Sequence, residues 1–282
     1  MKAYVSIDLE GLPGVSSVTM ISPDRSQFQR AVKIMTRIVN EVSQILLKSG
    51  FERVVVADSH GLMTTIDYLD IPRGVSLIQG YPRPFSMVTG IDSSFNMVLY
   101  LGYHAAAGVR YGFLDHTYSG RVFHEIYVNG VKASEYLVNT LYVNEIGVPV
   151  ALLAGDHYLK VDVEKHTPWV VFVEFKKGVS RYAAIYDSLD EVIDRLRIGV
   201  EEAITRLKNG KLGLINWSKP YSLEIRVRDP LIADALEHND KFTRIDAYSL
   251  KASANTAKEL LGLIEVAALI GYGIESLKTS IK

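Results

Sequence analysis

Tyr4-Val5-Ser6-Ile7-Asp8-Leu9-Glu10-Gly11 is the stretch from which the fold is read. It has the pattern of a buried strand with an acidic end. Residues i and i+2 of a strand share a face. Asp8 and Glu10 therefore point the same way where the strand gives out into Gly11-Leu12-Pro13-Gly14. Carboxylates held that close repel unless something positive sits between them. A divalent metal answers the repulsion; solvated acids at a polar strand exit are the alternative. The same ending recurs twice, in Arg53-Val54-Val55-Val56-Ala57-Asp58-Ser59-His60 and in Met97-Val98-Leu99-Tyr100-Leu101-Gly102-Tyr103-His104. Strands that each deliver Asp, Glu or His at their C-terminal ends point to an open parallel sheet with its ligand site on that edge. Carboxylate and imidazole are the donors expected for zinc or a similar first-row ion.

Composition narrows the classes. The 282 residues suffice for one large domain or two modest ones, and 48% hydrophobic with 22% charged residues is the balance of a globular chain with a sizeable core. A net charge of −1 without a basic tract argues against nucleic acid as the main partner. With no cysteine there is no disulfide, thiolate metal site or cysteine nucleophile. Met1-Lys2-Ala3-Tyr4 runs straight into the first strand with no signal peptide, so a cytoplasmic enzyme is the expectation. No apolar run is read as reaching membrane-spanning length, and Leu260 to Ile270, broken by Gly262 and Glu265, is read as a buried helix.

From the first strand outward, a long helix is expected from about Ser26 to Ser49, with Val32, Met35, Ile38, Val39, Val42, Ile45 and Leu46 at helical spacing and Gly50 as its stop. With the strand ending at His60 this forms a βαβ unit, hence parallel strands. Val75 to Ile78 is a short strand. Asn129-Gly130 marks a hairpin between Val122–Val128 and Val131–Ala133. Glu135 opens a helix to about Ile146, and Val148 to Leu153 is another buried strand. A strand at Trp169–Phe175 and a helix from about Arg181 to Lys208 follow. Past Trp217 the expected order is strand 222–227, helix 230–237, strand 244–249 and helix 256–270. The fold class is α/β, a mainly parallel sheet flanked by helices with a smaller C-terminal α/β subdomain. The expected division is a metal-binding catalytic domain at 1–215 and the subdomain at 216–282.

The candidate ligands are Asp8, Glu10, His60 and His104, with Glu135 as a fifth. Five exceed what one catalytic zinc takes. They suit two metals that share a carboxylate, with Asp8 on the central strand as the natural bridge; such a pair activates a water and polarises a carbonyl at once. The blocks Ser6-Ile7-Asp8-Leu9-Glu10-Gly11, Asp58-Ser59-His60, Pro84-Phe85-Ser86-Met87-Val88, Leu101-Gly102-Tyr103-His104-Ala105 and Asp115-His116 resemble the D-aminopeptidase family of binuclear zinc peptidases, the dipeptide-operon type. The resemblance runs in order to about residue 156, including Ala154-Gly155-Asp156, and weakens beyond it. It implies two zinc ions per subunit on Asp8, Glu10, His60, His104 and Glu135, with Asp8 shared, and an active-site histidine at His116. It also implies removal of N-terminal D-amino acids from short peptides such as D-Ala-D-Ala, and a ring-shaped decamer.

The resemblance casts His116 as nucleophile-like. A general base, or a group steadying the tetrahedral oxyanion, is the more natural reading, because imidazole titrates near neutral pH. Asp115 is a candidate to tune it. Asp58 either orients His60 or satisfies loop amides, Asp156 is read as a support behind the ligands or as structural, and His157 as structural. His124, His166 and His238 are read as surface residues. Arg83, Arg110 and Arg121 are candidates for a substrate carboxylate, and nothing in the sequence chooses among them. The leading function is a zinc aminopeptidase on short peptides, with neither nucleic acid nor membrane as partner. The alternatives are another two-metal hydrolase, an amidase or phosphoesterase, and a non-catalytic metal-stabilised assembly.

Overall fold

A computed structural model describes residues 1–280 as two compact units. The first comprises Met1–His104, Arg110–Leu114 and Val143–Ile215. Its centre is β1 (Lys2–Ile7), paired in parallel with β2 (Arg53–Asp58) on one side and β4 (Met97–Tyr103) on the other. The full order is β3-β2-β1-β4-β7-β8-β9, with β3 at Val75–Ile78, β7 at Val150–Asp156, β8 at Val171–Ser180 and β9 at Ala183–Ile185. Neighbours are parallel except β8 and β9. Chain order reverses direction across the sheet at β1, between β2 and β4. In open α/β sheets the crevice at such a switch point is where ligands bind.

β1 divides its residues between two tasks. Ala3, Val5, Ile7 and Leu9 join the core that also holds Met35, Ile38, Val39, Val42 and Leu46 of α1 (Phe28–Lys48) and Val192, Leu196 and Val200 of α4 (Leu189–Lys208). Burying such side chains is worth about 1.5–3 kcal/mol each, so the register of β1 is strongly fixed. A slip by one residue would exchange its two faces. Tyr4, Ser6 and Asp8 therefore face away from that core, and Tyr4 Oη donates to the Thr89 carbonyl at 2.6 Å.

The strand ends are drawn together by backbone contact. Asp8 N donates to Leu101 O at 2.8 Å and Gly11 N to Gly102 O at 2.7 Å. At Gly102 (φ +68°) a Cβ would lie 2.1 Å from the Asp8 carbonyl oxygen; at Gly11 it would lie 2.1 Å from Tyr103 O. Only glycine fits this approach.

The second unit comprises, among the described residues, Ala105–Val109, Asp115–Tyr142 and 216–280. Its antiparallel sheet has the order β11-β12-β10-β5-β6, with β5 at Phe123–Val128, β6 at Val131–Lys132, β10 at Tyr221–Val227, β11 at Thr243–Arg244 and β12 at Ser249–Ala254. The expected hairpin forms at Asn129-Gly130, both with positive φ (51° and 75°), as a tight primed turn requires. On β10, Tyr221, Leu223, Ile225 and Val227 are buried in strict alternation. The helices are α2 (Glu135–Glu145), α5 (Pro230–Glu237) and α6 (Ala257–Ser280).

Several expected boundaries move. The helix expected from Arg181 starts at Leu189, where Ser188 and Glu191 form a capping box, and β9 occupies part of the interval. α3 (Lys160–His166) was not expected. The strand expected at 244–249 is replaced by β11 and β12 on either side of a turn in which Asp246 Oδ1 accepts from Tyr248 N and Ser249 N. α6 runs ten residues past Ile270 and is long and apolar enough to cross a membrane by length and composition, contrary to the sequence reading; Leu260, Leu261, Ile264, Ala267 and Ala268 on it are buried.

Two glycine substitutions should act with opposite sign. Gly102→Ala adds a Cβ against the Asp8 carbonyl at positive φ and should cost about 2 kcal/mol or more. Gly262→Ala, on an exposed helical position with nothing within 4 Å of the new Cβ, should leave stability unchanged or gain up to about 1 kcal/mol. Thermal and urea melts of both variants decide it.

Candidate metal centre

In the first unit Asp8 and Glu10 lie just beyond β1, His60 beyond β2 and His104 beyond β4. All four are buried. A carboxylate oxygen of Asp8, one of Glu10 and a ring nitrogen of His104 lie within 4.8 Å of one another. The two oxygens of Asp8 face different imidazoles: Oδ1 is 3.5 Å from His60 Nδ1 and Oδ2 is 3.5 Å from His104 Nε2. Each oxygen of the one carboxylate thus has its own imidazole neighbour. Glu10 Oε2 is 2.7 Å from His60 Nδ1. The donors are oxygen and nitrogen only, in a site closed to bulk water, and they suit zinc or a neighbouring first-row ion.

His60 is oriented from behind. Its Nε2 lies 2.7 Å from the Ile21 carbonyl, a pure acceptor, so Nε2 carries a hydrogen and donates it. Nδ1 is thereby turned towards the two carboxylates, the arrangement typical of a ligating histidine. Asp58 does not fill this role. Its Oδ2 accepts from Thr65 N (2.5 Å), Ile66 N (2.7 Å) and Gln79 Nε2 (3.2 Å), which fastens the loop after His60. Burial pushes the Asp58 carboxyl above its ordinary value, against the pull of the Ile66, Gln79 and His60 donors. Burial likewise opposes charge on His60, but Glu10 and Asp8 outweigh it and hold the imidazole well above the ordinary histidine range.

Beneath the ligands lies a hydroxyl junction. Ser6 Oγ is 2.8 Å from both Ser59 Oγ and Tyr103 Oη. It links residues adjacent or next-but-one to Asp8, His60 and His104. A residue missed in the sequence sits nearby: Lys176 on β8 is only 1% exposed, and its Nζ donates to Val15 O at 2.7 Å. Phe175-Lys176-Lys177 reads as the end of a strand with two surface lysines; only the bulge between Gly155 and Asp156 in the β7–β8 pairing carries a signal that the alternation shifts.

In the second unit Glu135 is the first residue of α2 and is 4% exposed. Its Oε1 accepts from Tyr118 N at 2.7 Å and lies 3.6 Å from His116 Nε2. Tyr118 has φ +59°, a conformation costly for a bulky residue, and its phenol pairs with Asn139 Oδ1 at 2.8 Å. The His116 side chain is 20% exposed, against 5% for Glu135. Asp115 Oδ2 accepts from Gly108 N at 2.6 Å and so braces the loop before it.

The remaining candidates resolve individually. Arg83 donates to the carbonyls of Ser86 (2.9 Å), Ile78 (3.3 Å) and Asp58 (2.7 Å), which makes it a loop clamp rather than a free guanidinium. Arg110 stacks on Tyr111 at 4.6 Å, and Arg121 is exposed. Asp156 accepts from Phe113 N and Tyr158 N, both at 3.1 Å. His157 pairs with Glu174 at 2.7 Å. His124 and His238 are exposed and His166 is half-buried.

Comparison with known proteins gives one consistent result. A family model described as D-aminopeptidase matches residues 1–266. A D-aminopeptidase of Bacillus subtilis (strain 168) is 33% identical over 183 residues, 65% of this chain and 66% of that relative's length. A solved structure described as "Zn-dependent D-aminopeptidase DppA from Bacillus subtilis, a self-compartmentalizing protease" matches with a TM-score of 0.91 and 25% identity, covering 96% of this chain and 98% of that one.

His60 makes a testable link between pH and stability in chelator-stripped protein. Its folded value is raised above the unfolded one, so its contribution is fully present below about pH 6.5 and is lost as pH rises through the folded value. The melting temperature of stripped protein should fall across that alkaline range, and His60→Gln should flatten the fall. An identical slope in both proteins would show that another group carries it.

Proposed function

The chain belongs to the D-aminopeptidase family, and on that premise we propose that it is a zinc-dependent aminopeptidase releasing N-terminal D-amino acids from short peptides. The observation that carries this reading is the pair of buried carboxylates at the end of β1, with each Asp8 oxygen turned to a different imidazole. In this reading Asp8, Glu10, His60, His104 and Glu135 hold two zinc ions and Asp8 is shared. The ligand set follows the family resemblance, and the buried, sulfur-free donors are its physical support. Zinc, when bound, supplies Lewis acidity for the scissile carbonyl and an activated water.

The chain's own residues supply the rest. His116 is the proton carrier: its Nε2 takes a proton from the attacking water and returns one to the departing amine. Glu135 Oε1, 3.6 Å away, favours the imidazolium formed in between. The partial exposure of His116 suits a group that meets substrate, whereas the ligands are closed off. Assembly into a ring-shaped decamer, expected from the resemblance, has two supports. One is the term "self-compartmentalizing" applied to the similar structure. The other is the set of large apolar side chains left exposed beyond His60, Leu62 (64%), Tyr68 (72%) and Leu69 (87%).

Zinc-loaded protein should release D-alanine from D-Ala-D-Ala and D-Ala-Gly, lose that activity to chelation, and fall about 10²–10⁴-fold with His116→Ala. L-Ala-L-Ala and a chromogenic phosphoester complete the panel. Cleavage of the L-peptide alone would keep the hydrolase and reject the stereochemistry. Cleavage of the phosphoester alone would reject the peptidase. Light scattering that gives a mass other than ten chains would reject the decamer.

A further inference from the structure

Lys176 is a buried cation for which the proposed reaction has no use. At 1% exposure its ammonium is costly to place. A methionine of similar length would fill the space without that cost. The surroundings explain how the charge is tolerated. Nζ donates to the Val15 carbonyl at 2.7 Å and lies 3.8 Å from the centre of the Phe113 ring. Asp156, its register partner on β7, attracts it, as do Glu10 and Asp8. Burial still lowers the ammonium to about 7, against those three carboxylates.

The bond to Val15 defines a mechanical role. Val15 lies five residues beyond Glu10, across the turn Gly11-Leu12-Pro13-Gly14. That segment is held near its start by Gly11 N on Gly102 O. Its far end is held by Lys176. Glu10 has no strand of its own to fix it, so its carboxylate is as well placed as the turn that follows it. The ring of Phe113, lying against the same ammonium, fixes Lys176 in turn.

We propose that Lys176 is a positioning residue for the metal centre, which ties the turn after Glu10 to β8 and so holds the Glu10 carboxylate beside Asp8 and His60. The role rests on the zinc reading above and deepens it: the centre has an internal support that is not a ligand. Its positive charge alone would weaken cation binding by repulsion, whereas its grip on the turn strengthens it. The sign of the effect therefore separates the two.

The test is zinc affinity of chelator-stripped full-length protein, measured by competition with a chromogenic chelator, with the cobalt visible spectrum as a second readout. Lys176→Met should bind zinc about tenfold or more weakly, the loss typical when a ligand's support is removed, and shift the cobalt bands. Lys176→Arg, which keeps a donor, should recover part of the loss. Equal or tighter zinc binding by Lys176→Met would overturn the proposal and leave the ammonium a mere buried charge. If Lys176→Met gives no cooperative melt, Phe113→Leu, which removes the ring and keeps the ammonium, should weaken zinc about threefold; unchanged affinity there would overturn it as well. Parent protein binding zinc no better than Glu10→Gln would remove the metal reading itself, and this inference with it.

Discussion

Two carboxylates brought together out of water repel, and Asp8 and Glu10 are only 3% and 5% exposed. Much of the first unit answers that repulsion. His60 is drawn into its charged form by the pair, despite burial. Lys176 places a second cation within electrostatic reach of both. A divalent ion would serve the same need with stronger attraction, and the imidazole would then give up its proton and offer a lone pair. In the proposed reading, the histidine that balances the two acids is also one that would ligate the ion.

Such a cluster needs a rigid frame, because its forces would otherwise push the acids apart into solvent. β1 provides it through its alternation. The side chains of Ala3, Val5 and Ile7 anchor one face in the helix-covered core, and this fixes where Ser6 and Asp8 emerge on the other. The contact between Gly102 and the Asp8 carbonyl then sets how closely the ends of β1 and β4 approach. The hydroxyls of Ser6, Ser59 and Tyr103 join the three ligand-bearing strands just below the site. Hydrophobic register, a missing Cβ and a hydroxyl junction each fix a different degree of freedom of the same candidate ligands.

The features set by local chemistry were legible in the sequence. Apolar runs ending in acid or imidazole mark the parallel sheet and the candidate site at its edge, and Asn129-Gly130 marks the hairpin. The helical spacing from Val32 to Leu46 showed α1 almost to its ends. The features set by distant pairing were not. The strand at Phe123–Val128 belongs to one sheet with Tyr221–Val227, nearly a hundred residues later, because β5 pairs with β10; nothing within either segment names its partner. α4 starts later than expected because β8 turns back on β9, a pairing that nothing within 181–188 names. α6 continues past the expected end at Ile270, and Gly271 is where the helix passes Val122 too closely for any Cβ.

The metal centre shows the same divide at smaller scale. Candidate ligands stand out in a sequence because their chemistry is in the side chain, and few residue types qualify. Their supports are mostly backbone: the Ile21 carbonyl that turns His60, the Tyr118 amide that meets Glu135, the Val15 carbonyl held by Lys176. Every residue carries such a carbonyl or amide, so no residue type marks the ones that matter. Lys176 is the exception that shows why the rest are hidden. Its side chain is distinctive, yet in sequence it stands beside Lys177 and is indistinguishable from it. Only the tertiary structure separates the two, with Lys176 at 1% exposure and Lys177 facing solvent. Burial converts an ordinary surface residue type into a structural cation, and burial is a property of the whole fold.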